Sequence, residues 1–165
     1  MKLPLQVDLN GKVAVVTGGG GVLGSYFCEA LVLSGAKVAI VNRTAEKAQA
    51  VADRIIAAGG EAMAIPGDVL DPESMKQVRD KLHAAYGTCD ILVNAAGGNH
   101  PKGISSQEYF QMEDLDNTEG RTTFFDLDPK GVGYVFDLNF MGSLIPSQIF
   151  GRDMAGKKDA TIINI

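Results

Sequence analysis

The 165-residue chain is 45% hydrophobic and 21% charged, the balance of one globular domain with a real core rather than of a disordered segment. Its net charge of −5 argues against a nucleic-acid partner, which favours a basic face, and no apolar run reaches the length of a membrane span. The opening MKLPLQVDLNGK has no secretory hydrophobic region. Cys28 and Cys89 show neither paired nor metal-ligand spacing. The expectation is a cytoplasmic protein with reduced, partly buried thiols, no metal, no membrane partner and no nucleic acid.

Lys12 to Thr17 (KVAVVT) reads as a short β-branched strand that runs into glycines. A helical pattern follows over Leu23, Phe27, Ala30, Leu31 and Ser34, ended by Gly35. Lys37 to Val41 is a second strand, and Thr44 stands where it would cap the next helix. That helix carries an apolar stripe of Ala48, Val51, Ala52, Ile55 and Ile56 up to Gly59-Gly60. Glu61 to Ile65 is a third strand. Asp71-Pro72 supplies an N-cap and first helical residue, with Met75, Val78, Leu82 and Ala85 facing inward. Asp90 to Asn94 is the fourth strand. Strands alternating with helices predict an α/β fold with a doubly wound parallel sheet.

From Ala95 to about Lys130 the pattern lapses into a polar stretch holding Pro101, Gly103, Gly120 and Pro129. A loop of this length is uncommon and usually functional. Helical pattern returns at Val132, Val135, Phe136, Leu138 and Phe140, with a kink expected at Pro146. DATIINI, Asp159 to Ile165, reads as a fifth strand buried on both faces. No internal repeat or low-complexity tract is present.

The strongest local signal is VVTGGGGVLG, Val15 to Gly24, between the first strand and the first helix. Glycines there let backbone N–H groups approach a pyrophosphate, and the helix N-terminus adds a favourable dipole. This points to a dinucleotide held by Gly18, Gly20, Gly21, Val22, Leu23 and Gly24. The second strand closes on Asn42-Arg43, about where a ribose-reading residue belongs. A carboxylate there would accept from both ribose hydroxyls and repel a 2′-phosphate. Asn42 is uncharged and Arg43 can pair with phosphate, which favours NADP, with NAD as the alternative.

Together these motifs resemble the short-chain dehydrogenase/reductase family. Thr17 to Gly24 nearly meets its TGxxxGxG, except that Val22 stands at the middle glycine and Gly21 comes one place early. That departure bears on the local turn and not on the fold. Gly67-Asp68-Val69 resembles the family's adenine-contacting Asp-Val pair, and Asn94-Ala95-Ala96-Gly97 its NNAG motif beside the cofactor. Asp90 resembles the structural aspartate that opens the fourth strand. Asn139 resembles the helix asparagine that joins the catalytic tetrad through a water; its amide partners here are either structural or catalytic. The resemblance covers nearly the whole chain. It implies a Rossmann-type sheet of which these are the first five of seven strands, and an NAD(P)-dependent oxidoreductase acting on a small-molecule carbonyl or secondary alcohol.

A narrower resemblance, in NAAGGNHPKG and TTFFDLDPKGVGYVFDLNFMGSLIPSQIF, is to the D-mannonate oxidoreductase (fructuronate reductase) branch, which acts on sugar acids. Residues from roughly Ile104 to Asp128 form an insertion relative to the family. They follow the fourth strand at the end of the sheet where ligands bind, so they are expected to shape a substrate pocket or a lid. His100 and Lys102 stand at the start of this insertion, and Lys102 can pair with a sugar-acid carboxylate.

The resemblance also implies a catalytic serine and a Tyr-x-x-x-Lys motif after the fifth strand. None of these falls within residues 1–165, and Tyr109 and Lys102 lack the spacing to substitute. The expectation is therefore an amino-terminal portion, 1–165, of one nucleotide-binding domain, inactive alone, from a parent that forms a tetramer or dimer. Two other readings are a non-catalytic NAD(P)-binding module and a sugar-nucleotide epimerase. The turn spacing and NAAG count against the epimerase.

Overall fold

Five mostly apolar runs flanked by turn residues become five parallel strands, the central ones covered on both faces by helices. The structure, a computed structural model, describes residues 7–116 and 120–165. The first six residues of the opening segment, and 117–119 of the expected insertion, lie outside the described residues. Strand β1 (Val13–Thr17) is central, with β2 (Lys37–Asn42) and then β3 (Ala62–Pro66) on one side. On the other side lie β4 (Ile91–Asn94) and then β5 (Thr161–Asn164), giving the order β3-β2-β1-β4-β5. The chain reverses its direction of travel across the sheet between β3 and β4, so the switch point lies beside β1.

The pleat sorts β1 by alternation. Val13 and Val15 join one buried cluster, Ala14 and Val16 the other. The first cluster packs under α3 (Pro72–Ala85) and α5 (Gly142–Met154), through Met75, Val78, Leu82, Ile145, Ile149 and the fully buried Phe150. The second packs under α1 (Val22–Leu33) and α2 (Ala45–Ala57), through Cys28, Ala48, Val51, Ala52 and Ile55. Asp71 caps α3 as expected, accepting from the Glu73 N–H at 2.9 Å. Thr44 precedes α2 but its side chain makes no cap bond; instead the Asn42 amide donates to the Thr44 carbonyl at 3.1 Å.

Several expectations are corrected. β5 is exposed at every position, with Ile162 40% and Ile163 43% accessible. It pairs with β4 alone among the described residues, and α5 is the helix packed beside it. Ile56 is exposed because Ala48, Val51, Ala52 and Ile55 already fill the sheet-facing arc of α2. Ala85 is exposed at the last turn of α3. The helical stretch after the loop carries Pro146 inside α5. Before it, α4 (Pro129–Phe136) passes through a π-helical turn, Asp137–Met141, into α5, which the sequence pattern did not show. Both cysteines are fully buried rather than partly so, and burial pushes each thiol up to about 12.

At the amino ends of β1 and β4 one carboxylate ties several strands. Asp90 Oδ2 accepts from the Val13 N–H at 2.9 Å, and Oδ1 accepts from Lys157 Nζ at 2.8 Å. Lys157 also donates to the Thr88 hydroxyl and the Cys89 carbonyl, each at 2.9 Å. Burial alone would push the Asp90 carboxyl up, but the Lys157 and Val13 hydrogen bonds and the Lys157 charge outweigh it and hold it below its ordinary 3.8. A depressed carboxyl stabilises the fold above its unfolded value and loses that contribution as pH falls through the folded one. We therefore expect Asp90→Asn to lower stability by about 2 kcal/mol at neutral pH. In thermal melts across pH, the gap between the native chain and this variant should narrow below 3.8. A gap that stays constant into acid would exclude the ionic role.

Candidate functional site

At the carboxyl ends of β1, β2 and β4 the backbone comes closer together than side chains permit. Gly18 takes φ +66°, and a Cβ there would lie 2.6 Å from the Ala95 carbonyl oxygen. A Cβ on Gly24 would meet the Gly18 carbonyl oxygen itself. Thr17, fully buried, fastens the same point: its hydroxyl accepts from the Ala95 and Ala96 N–H groups at 3.2 and 3.3 Å. The turn is closed by Gly19 N–H to the Val41 carbonyl at 3.1 Å and Gly21 N–H to the Gly18 carbonyl at 2.9 Å. Gly20 has a different cause. A Cβ there would press on Lys47 and Asn42, at 2.9 and 3.0 Å, so α2 packs directly against the turn.

Val22 explains how the departure from the TGxxxGxG spacing is tolerated. It is already the first residue of α1, with its side chain 78% exposed, so it needs no glycine. Gly21 precedes α1 in extended conformation and no side chain caps the first turn. The N–H groups of that turn therefore face the opening with the positive end of the helix dipole.

These elements border a cleft of about 350 Å³ lined by Gly18, Gly21, Val22, Leu23, Gly24, Asn42, Arg43, Asp68, Ala95, Ala96, Gly97, Tyr134 and Leu138. Arg43 is exposed and makes no hydrogen bond or ion pair with a described residue. Asp68 Oδ1 accepts from the Leu70 N–H at 3.0 Å, shaping the turn before α3. Three of the sequence candidates, Gly20, Val69 and Asn94, support this cleft without lining it. Val69 is buried in the core beneath it. Asn94 is 1% exposed and its amide donates to Ser143 O, Ser147 Oγ and Asn164 Oδ1 at 3.3, 2.9 and 2.8 Å, tying β4 to α5 and β5.

Asn139 sits in the π turn and is exposed, yet its amide is fully engaged with backbone. It donates to the Gly98 and Val135 carbonyls at 2.9 and 2.7 Å and accepts from the Gly98 N–H at 3.2 Å. π turns recur at functional positions, and this one clamps the segment leaving β4. His100 Nδ1 accepts from the Lys102 N–H at 3.2 Å, and its ring lies 5.4 Å from that of Tyr134. Neither His100 nor Lys102 lines the cleft. Tyr134 and Leu138 do, and the sequence reading missed them. Their i, i+4 spacing on one helix face was the available signal.

The short chain dehydrogenase family model matches residues 12–165. The chain belongs to that family. An uncharacterized oxidoreductase of Haemophilus influenzae is 43% identical over 165 residues, covering all of this chain and 57% of that protein. An uncharacterized Bacillus subtilis oxidoreductase, UxuB, is 44% identical over 99% of this chain and 57% of its own length. The chain thus spans little more than half the length of the curated relatives it matches. A crystal structure with bound NAD, from a Haemophilus influenzae protein provisionally named a D-mannonate oxidoreductase, superposes with a TM-score of 0.88 at 43% identity. It covers 94% of this chain and 55% of that one. A metagenomic short-chain oxidoreductase in complex with NADP gives 0.74 at 28% identity over 93% of this chain and 61% of its own.

The glycine contacts make a direct test. Gly18→Ala adds a Cβ at positive φ against the Ala95 carbonyl, and Gly24→Ala adds one against Gly18. Each is expected to destabilise the short chain dehydrogenase domain by about 1–3 kcal/mol in denaturant titrations. Alanine at Gly59, whose Cβ would meet nothing within 4 Å, serves as the control for positive φ alone.

Proposed function

We propose that this chain holds the dinucleotide of an NAD(P)-dependent oxidoreductase whose parent enzyme interconverts a carbonyl and a secondary alcohol on a sugar acid. The observation that carries the reading is the cleft bordered by Gly18, Gly21 and Gly24 beside the uncapped first turn of α1. A pyrophosphate fits such a cradle, since N–H donors and helix dipole favour its charge. Gly18, Gly21, Val22, Leu23 and Gly24 would border the diphosphate, and Gly20 would keep α2 tight against it. Asn42 and Arg43 would face the adenosine ribose, Asp68 the adenine with Val69 supporting it from the core, and Ala95, Ala96 and Gly97 the remaining length. Asn94 and Asn139 would hold that last segment in place from behind. When bound, the nicotinamide supplies or accepts the hydride.

Arg43 supports NADP, because it offers charge-assisted donors where the chain carries no carboxylate. The Haemophilus structure contains NAD, so both nucleotides belong in the assay. Arg43→Asp should weaken NADPH binding about tenfold or more, read by quenching or enhancement of nicotinamide fluorescence, and change NADH binding far less. Equal losses for the two nucleotides would sink the phosphate-reading role.

The sugar-acid substrate rests on the likeness to the D-mannonate oxidoreductase branch. Within residues 1–165 no tyrosine is followed four positions later by lysine, so the family's proton-transfer pair is not among them. A positioned general acid–base contributes roughly 10²–10⁴-fold. The 165-residue chain by itself is therefore expected to bind nucleotide and show no fructuronate reduction with NADPH or NADH. Turnover by the purified chain would overturn this reading, and would send the search for a proton donor to Tyr134.

A further inference from the structure

We infer that Lys47 is a second reader of the nucleotide, an ammonium placed to hold a phosphate on the 2′ position of the adenosine ribose. Its role rests on the dinucleotide reading above and adds to it the residue that separates NADP from NAD. The starting point is Gly20. A Cβ built there would lie 2.9 Å from Lys47 Cβ, 3.0 Å from the Lys47 carbonyl carbon and 3.0 Å from Asn42 Cγ. The glycine turn, the end of β2 and the third residue of α2 therefore converge at one point. The Lys47 stem leaves the helix where the helix touches the turn, beside Asn42, which lines the cleft with Arg43.

The charges around this point are arranged unevenly. The stretch from β2 through α2 carries four cations, Lys37, Arg43, Lys47 and Arg54. Lys37 and Arg54, away from the cleft, hold Glu61 and Glu29 at 2.9 and 2.6 Å. Arg43 and Lys47, at the cleft end, are exposed and hold no described residue. Glu46 shares the first turn of α2 with Lys47, and it too pairs with neither cation. Two unpaired cations four positions apart repel each other, and an anion between them turns that repulsion into attraction.

The two cations differ in kind. Arg43 is a planar fork that can lie against an adenine face as well as pair with phosphate, so its removal can weaken both nucleotides. Lys47 is a compact charge on a flexible stem. A ribose hydroxyl offers it one ordinary hydrogen bond, whereas a phosphate dianion offers charge-assisted ones that are about twice as strong. Nearby groups leave room for that anion. Asn42 donates its amide N–H to the Thr44 carbonyl at 3.1 Å, which keeps Oδ1 for a ribose hydroxyl and sets no carboxylate against a phosphate. The Thr44 hydroxyl makes no cap bond and can donate to the same oxygens. Lys47 is thus the cation whose contribution depends on the 2′-phosphate.

The test uses the purified 165-residue chain, native and as Lys47→Met and Lys47→Arg. Each is titrated with 2′,5′-ADP and 5′-AMP by calorimetry, and with NADPH and NADH by nicotinamide fluorescence. The native chain is expected to prefer 2′,5′-ADP to 5′-AMP, and to lose part of that preference as salt is raised. Lys47→Met should cut the preference about fivefold, through weaker binding of 2′,5′-ADP and NADPH alone. Lys47→Arg, which keeps the charge, should retain it. An unchanged preference in Lys47→Met, or equal losses of NADPH and NADH, overturns the role of Lys47. So does a native chain that binds 5′-AMP and NADH yet gains nothing from the 2′-phosphate, and in that case the dinucleotide reading stands. A native chain that binds none of the four ligands overturns both.

Discussion

The backbone contact between the β1 turn and the end of β4 is the constraint on which this molecule's architecture rests. Gly18, Gly24 and Ala95 meet with no room for a side chain. Thr17 adds hydroxyl bonds across the same junction. This contact sets how far β4 reaches, where α1 starts and which N–H groups are left facing the opening. A cleft made of main chain follows from that. Its donors are amides rather than side chains, so their positions are fixed by the sheet and cost little entropy to hold.

The opposite end of the sheet is fastened by a different device. There Asp90 and Lys157 replace backbone proximity with charge, drawing the starts of β1 and β4 and the loop before β5 to one carboxylate. The two ends therefore respond to different conditions: one to added side-chain volume, the other to protonation. Between them Asn94 connects β4 to both α5 and β5, so the element that carries the cleft's floor is braced from outside the cleft.

The passage from α4 to α5 lies between the glycine-turn cleft and the loop that leaves β4. The π turn brings Asn139 against Gly98, and Tyr134, one turn earlier, lines the cleft while touching His100. Gly131, earlier still on α4, receives Gly103 at the neck of the 104–128 segment. A single helix thus contacts the glycine-turn cleft through one stretch and the 104–128 segment through another. Relatives in the short chain dehydrogenase family, with NAD or NADP bound, share the sheet beneath.

Much of this was legible in the sequence because it is local. Alternating β-branched runs, 3.6-residue stripes, the Asp71-Pro72 start of α3 and the glycines after β1 each depend on neighbours a few residues away. The parallel sheet followed from the alternation of strands and helices, and the candidate cleft from the order of motifs. What the sequence could not determine depends on partners distant in the chain. The exposure of β5 turned on which elements lie beside it, since DATIINI reads identically whether covered or bare. The tolerance of Val22 turned on where α1 begins, and the bracing role of Asn94 on bonds to residues 143, 147 and 164. The π turn and the Gly103–Gly131 clasp arise from packing. Periodicity reports which face of an element is apolar; only the assembled fold decides what that face meets.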